Sequence, residues 1–443
     1  MDCMTTLLRF VSCLSSLAAA ALVPMAVALF APAAHAATLC VHPGGKGGCF
    51  STIGAAVGAA SAGDTVNVAA GKYAEDVVIG KSIALIGAGS QSTVIDATGH
   101  SNGIYIDGLA NSGLAAVIVM GLTVENAKFE GILVTNAGDV TIRNDVLTGN
   151  DKAIVTSASG PPTCPGIPSF ETEEGMDCGE GLHLSGVDHS VVDGNVITGN
   201  AGGILITDDT GPTFQNLISG NVVRKNPLDC GITLASHPAF NGQPAAFGVY
   251  QNTIRGNDSE ENGLAAAGGG GVGLFAPGPG NAVYANVVIG NQLIGNGLPG
   301  VVMHNHFSLT AAPANLSGNM IVGNFIAKNH ADTMDAATSG PTGINVFGFG
   351  PITGTVISQN VIRDEDIDIA TNTPAEVLAH VNDLLGTGAG IDNLGQGTVN
   401  ATLNWWGCPA GPGHGGCSTV EGQGVTVSPV LQRPVVPAGQ DQR

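Results

Sequence analysis

The sequence runs to 443 residues with 67 glycines, 4% aromatic and 11% charged residues, a composition of tight turns and small packed side chains rather than of amphipathic helices. Its 35 acidic and 14 basic residues give a formal net charge of -21. That charge excludes nucleic acid and anionic membrane as electrostatic partners, and it repels an acidic polysaccharide unless a cation bridges the two.

Residues Met1 to Ala36 hold a short start with Arg9, an apolar run from Leu17 to Phe30, and Ala34-His35-Ala36 as a small-residue cleavage site. The pattern predicts a secretory signal peptide over 1–36, and Pro24 and Pro32 argue against a retained anchor. The mature chain is therefore expected to be soluble and exported, to the periplasm or beyond. Nine cysteines less Cys3 and Cys13 of the leader leave seven. Six form close pairs, Cys40 with Cys49, Cys164 with Cys178 and Cys408 with Cys417, which in an oxidising compartment predict three small disulfide-closed loops. A metal cluster is the alternative, but no pair has the spacing or histidine neighbours of a zinc site. Cys230, next to Gly231 and Ile232, is expected to be a packed thiol.

Ile53, Ala56, Val57 and Ala60 recur at helical spacing and predict a short helix over the open end of an apolar core. Alternating segments then follow between glycine turns up to Asp96. From Gly181 to Asn221 one unit is stated twice in succession: GLHLSGVDHSVVDGNVITGN and GGILITDDTGPTFQNLISGN. Each copy implies three short strands, and each closes on Gly-Asn. Closing asparagines recur at Asn144, Asn195, Asn221, Asn252, Asn286, Asn319 and Asn360, Asn221 lying 26 residues after Asn195. A strand-rich unit of this length cannot bury its apolar face alone, so the copies must stack, each strand pairing in parallel with the next coil at about 4.8 Å. The predicted fold is all-β, a right-handed parallel β-helix. Asn suits the recurring corner because it tolerates left-handed backbone and its amide can bond the equivalent amide one coil away. The β-helix domain is expected to span 37–429, with a flexible tail over 430–443.

The segment Phe50 to Asp96 together with the Gly-Asn coils resembles the secreted parallel β-helix proteins of the pectate-lyase-like superfamily, including the carbohydrate-binding and sugar-hydrolase repeats and the periplasmic copper-associated NosD-like group. The resemblance implies the fold. It does not choose an activity, since the superfamily holds lyases, hydrolases, epimerases, esterases and binding proteins. NWWGCPAGPG at Asn404–Gly413 is similar to a terminal-coil motif of such proteins, which implies that Trp405 and Trp406 cap the core. Three insertions interrupt the coils: Ser157–Glu180 with Glu171, Glu173 and Glu174; Pro238–Phe247; and Asp364–Gly395. In the last, Thr373-Pro374-Ala375-Glu376 reads as a capping box for a helix carrying Val377, Leu378, Val381 and Leu384.

Aligning the coils on Gly181, Gly203, Gly231, Gly271, Gly300 and Gly343 places apolar residues one and three positions later, such as Leu182, Leu184, Ile204, Ile206, Val301 and Met303. These must point inward, so the second and fourth positions face outward: His183, Thr207, Phe275, His304, Asn345 and Phe347. The sixth column holds Asp209, His237 and His306. Asp208, Asp209, His237, His304 and His306 are the candidate catalytic residues, and His183, Phe275 and Asn345 the candidate substrate contacts. No set of metal ligands is assigned. Asp208, Asp209 and Glu180 could supply the paired carboxylates of a glycosidase, whereas a uronate lyase or epimerase would want a base such as His237 or His304. The cofactor is left open, calcium being the candidate bridging cation. The expected function is to bind or process an extracellular polysaccharide, neutral or acidic with a bridging cation, as a monomer. The competing class is a non-catalytic surface or binding protein.

Overall fold

The structure is a computed structural model that describes residues 36–157, 160–167, 179–237, 247–265, 268–278, 280–305, 314–333, 338–348 and 352–435. Residues 1–35 of the predicted leader therefore lie outside the described residues, as do Cys178, His306, and the acidic insertion residues Glu171, Glu173 and Glu174.

From Ala36 onward the chain winds as a parallel β-helix. Each coil lays down one strand in each of three long sheets: a first of 14 strands, a second of 11 and a third of 12. One coil reads Val191–Asp193, Val196–Thr198, Gly202–Thr207, and the next reads Leu217–Ser219, Val222–Arg224, Ile232–Ala235. Strands of successive coils pair in parallel and in register, Leu182 with Ile204 and Ile204 with Ile232. The inward column holds as the spacing requires: Leu182, Leu184, Ile204, Ile206, Ile232, Leu234, Val301 and Met303 are all fully buried. The glycine opening each strand of the third sheet has a steric reason. A Cβ on Gly203 would run into the carbonyl oxygen of Gly231 in the next coil.

The recurring asparagines separate into three columns rather than one. In the first, Asn195, Asn221, Asn257, Asn291, Asn324, Asn360 and Asn382 each donate their backbone N–H to the Oδ1 of the next member, ending on Asn404. The second runs Asn150, Asn200, Asn226, Asn262, Asn296, Asn329 and ends on Glu365. The third runs Ser190, Asn216, Asn252, Asn286, Asn319. The left-handed residue is the one before the asparagine, as in Gly194 at φ 68° and Gly220 at φ 61°. Glycine thus supplies the turn and asparagine the ladder, a division the sequence reading had merged. Asn144 is itself a left-handed residue at φ 56°, and Asp145 takes the column position.

Both ends of the core are closed. Helix Ile53–Ala59, capped by Thr52 Oγ1 accepting from Ala55 N, buries Ile53, Ala56 and Val57 as its spacing predicts. At the other end Trp406 is fully buried and Trp405 partly so. Disulfides join Cys40 to Cys49 and Cys408 to Cys417; Cys164 is also disulfide-bonded, and Cys230 is a buried free thiol. Beyond Pro429 the chain stays docked, Leu431 N donating to Asn404 O and Val435 N to Asp383 Oδ1.

The capping-box reading of the third insertion fails. Residues Val377–His380 and Asp383–Leu385 are strands, the former paired with Thr355–Ser358 and Val399–Asn400. Val377 and Ala379 are buried while Leu378 and His380 are half-exposed, a period of two. Sheet pairing on both sides overrides the local propensity.

Candidate functional site

The outward positions of the third sheet form two columns, mixed in polarity, whose placement follows from coil register. Leu133, His183, Leu205, Thr233, Gly273, Val302 and Asn345 are successive register partners, and so are Thr135, Ser185, Thr207, Ala235, Phe275, His304 and Phe347. The outward face is not open to water, contrary to the expectation for these columns. His183, His237, His304, Asn345 and Phe347 are all at most 5% exposed, and only Phe275 is half-buried. These side chains pack on one another along the coil axis, which is why facing outward does not mean facing solvent.

The structure divides the expected cluster in two. In the first part Asp209 stands between two imidazoles: its Oδ1 lies 2.6 Å from His237 Nδ1, and its Oδ2 accepts from Thr207 Oγ1 at 2.7 Å. That hydroxyl is 2.9 Å from His183 Nε2. Burial pushes the Asp209 carboxyl up, but the charges of His237 and His183, with the hydrogen bonds from His237 and Thr207, outweigh it and hold it at about 2. Asp209 is thus a carboxylate throughout the physiological range. The group is pulled below its unfolded value, so the stability it contributes is present above about pH 4 and is lost as pH falls through its folded pKa near 2.

Asp208 has a different task. Its carboxylate accepts from Ser236 Oγ at 2.9 Å, His237 N at 3.0 Å and Gly248 N at 2.5 Å, and burial raises its pKa despite these bonds. It pins the corner of the coil and holds the His237 backbone. It does not reach into the His183–Asp209–His237 chain.

The second part lies two coils further along. His304 sits edge-on between Phe275 and Phe347, ring centroids 5.9 and 5.8 Å away, with Nε2 3.2 Å from Asp332 Oδ2. His237 and His304 therefore do not converge on one point. His306 lies outside the described residues.

One partner, Glu130, escaped the sequence reading, and Glu180 was expected only as a carboxylate paired with Asp208 and Asp209. Glu130 and Glu180 are 1% exposed and flank His183 on the side away from Asp209, His183 Nδ1 lying 3.7 Å from Glu130 Oε1. Each directly precedes an opening glycine, Gly131 and Gly181, so extending the column alignment one coil back and one position upstream would have paired them. Asp332 carries no such signal, since it belongs to the connection after the second sheet's strand Phe325–Ala327.

An open groove of about 490 Å³ begins at Thr210, the residue after Asp209. Asn136, Asp139, Asp188 and Phe247 line it, and Phe247 is 46% exposed. Asp188 also accepts from His189 Nδ1 at 2.6 Å, which raises the His189 pKa.

Among solved structures the chain is similar to the catalytic unit of an alpha-1,3-glucanase from Streptomyces thermodiastaticus, at 14% identity and TM-score 0.50 over 85% of this chain, and it spans 65% of that one. A mannuronan C-5 epimerase A-module from Azotobacter vinelandii matches at 16% identity and TM-score 0.47, over 86% of this chain and 94% of its own. A pectate lyase matches at 16% identity and TM-score 0.43, over 73% and 78%. At these identities the likeness shows the parallel β-helix fold. None of the curated proteins compared with it matches the sequence. The family described as periplasmic copper-binding protein (NosD) matches residues 57–340, well over half of the chain. The chain therefore belongs to the NosD family.

Proposed function

We propose that this protein is exported and engages an extracellular polysaccharide in the groove that starts at Thr210, with the His183–Asp209–His237 chain alongside. The carrying observation is the groove itself: an exposed Phe247 ring at its rim offers an apolar face to a sugar, and Asn136, Asp139, Asp188 and Thr210 offer hydrogen-bond partners for hydroxyls. Two carboxylates in the lining and a net charge of -21 favour a neutral glycan over an acidic one. Beside the groove, Asp209 orients His237 directly and His183 through the Thr207 hydroxyl, the arrangement an acid–base centre needs. Glycan-acting proteins among the structures of like fold are compatible with this reading without specifying it.

The test is a panel of neutral and uronate polysaccharides assayed for binding, reducing ends and unsaturated uronate absorbance. Phe247→Ala and Asp188→Asn are expected to weaken binding of a neutral glycan at least tenfold with the melting temperature unchanged, because both side chains lie at the surface. Wild-type binding by both variants on every glycan accepted would sink the proposal. His237→Ala is a different kind of change: it leaves the buried Asp209 carboxylate short of its closest partner. It is expected to destabilise by about 2 kcal/mol as well as to abolish any turnover.

A further inference from the structure

On the side of His183 that faces away from Asp209, three buried donors converge. Glu130, Glu180 and His183 each offer a ligand atom, and these atoms lie within 4.8 Å of one another. Hydrogen bonding fixes which ring nitrogen is available. Thr207 Oγ1 donates its single hydrogen to Asp209 Oδ2 at 2.7 Å. The same oxygen, 2.9 Å from His183 Nε2, must then accept, and Nε2 carries the ring hydrogen. With the hydrogen on Nε2, Nδ1 is the ring nitrogen that faces the glutamates and is the one free to ligate. Glu130 Oε1 is 3.7 Å away, too far for a hydrogen bond, and neither Glu130 Oε2 nor His183 Nδ1 has a hydrogen-bond partner among the described residues. Two carboxylates and an imidazole nitrogen brought together in a dry site are a donor set that a bound cation would satisfy.

We propose that Glu130, Glu180 and His183 form a binding site for one divalent transition-metal ion, with His183 Nδ1 and one oxygen from each glutamate as ligands. Thr207 and Asp209 act as positioning residues that set the His183 tautomer from behind, as outer-shell hydroxyls and carboxylates do for metal-bound imidazoles. The donor set decides the class of ion. One imidazole and two carboxylates neutralise a dication and suit Cu(II) or Zn(II), with Cu(II) held more tightly. Calcium, which takes six to eight oxygens, is a poor match for a site with a nitrogen donor. Cu(I) prefers thiolate or thioether sulfur, and Cys230, further along the same column, is buried and already accepts from Gly270 N at 3.1 Å. The family's description as copper-binding is thus met by nitrogen and oxygen donors in the oxidised state of the metal. Three protein ligands leave a coordination position for a fourth, exogenous one. This site stands whether or not the neighbouring groove binds a glycan.

The experiment uses the secreted protein, washed with chelator and titrated with copper sulfate and separately with zinc sulfate. One tight equivalent of Cu(II) is expected, with a raised melting temperature and an electron paramagnetic resonance spectrum carrying nitrogen coupling from a single imidazole. Glu130→Gln, Glu180→Gln and His183→Ala are each expected to weaken copper affinity at least tenfold. Thr207→Val should weaken it about tenfold and change the pH dependence of uptake, because the tautomer is no longer fixed. A copper spectrum unchanged in His183→Ala, or uptake of less than one equivalent by the wild type, overturns the assignment. Should the variants fail to fold, wild-type protein labelled with 15N-histidine decides alone: coupling to no imidazole, or to two or more, overturns it.

Discussion

Asp145→Asn is expected to raise the melting temperature at pH 8 and to leave it unchanged at pH 4. Asp145 stands in the first asparagine column, where Leu122 N donates to its Oδ1 at 2.8 Å, but its Oδ2 has no hydrogen-bond partner among the described residues. Burial pushes its carboxyl up to about 7, against the opposing backbone bonds from Leu122, Arg143 and Gly121. The folded pKa is raised above the unfolded one, so the folded form holds its proton more tightly. The stability tied to that proton is whole below about pH 4, declines as pH rises toward 7 and is gone above it. A carboxyl at about 7 in the fold against about 4 in the unfolded chain corresponds to about 4 kcal/mol. Asparagine removes the ionisation. It also sets an Nδ2 where the other members of the column donate, as Asn195 does to Ile142 O at 3.0 Å and to Asn221 Oδ1 at 2.9 Å. Thermal melts followed by circular dichroism at the two pH values check this; an equal effect at both would show that ionisation is not the cause.

Asn221→Ala is expected to have the largest destabilising effect of any polar substitution away from the termini, about 3 to 5 kcal/mol. Asn221 is fully buried, and its Oδ1 accepts from both the backbone N–H and Nδ2 of Asn195, each at 2.9 Å. Its Nδ2 donates to Val192 O at 3.0 Å and to Asn257 Oδ1 at 2.9 Å. Alanine strands two donors and a carbonyl in a dry core, each costing about 1 to 3 kcal/mol less what repacking recovers. Urea unfolding of the variant against wild type measures it, and a loss under about 1 kcal/mol would mean that the ladder is ornamental.

The two substitutions also show where the sequence was legible. Period and spacing give a residue's column, and columns determine the inward core, the third-sheet register and the contact of Asp209 with His237. They do not say what lies over a column. His183 and His304 are buried because Thr207, Phe275 and Phe347 pack against them from neighbouring coils, a contact set by ring size and tilt rather than by spacing. Glu130 was missed because the insertion Ser157–Glu180 separates two coils that are adjacent in space, Ile132 pairing with Leu182. The helix expected after Pro374 failed because capping chemistry is local, whereas the demand of two neighbouring strands is not.

Every rung of the asparagine columns bonds only the coils directly before and after it. The donors of Asn257 find Asn291 just as those of Asn221 find Asn257. Such a bond pattern is indifferent to how many coils there are. A lineage could lengthen or shorten this protein by copying or deleting whole turns, and each new turn would meet a matching acceptor above and a matching donor below. Only the terminal members are bespoke: Asp145 starts one column, and Glu365 and Asn404 finish two of them. Growth by duplication would then be confined to the interval between these markers, while the ends, with the helix at one and Trp406 at the other, descend unchanged.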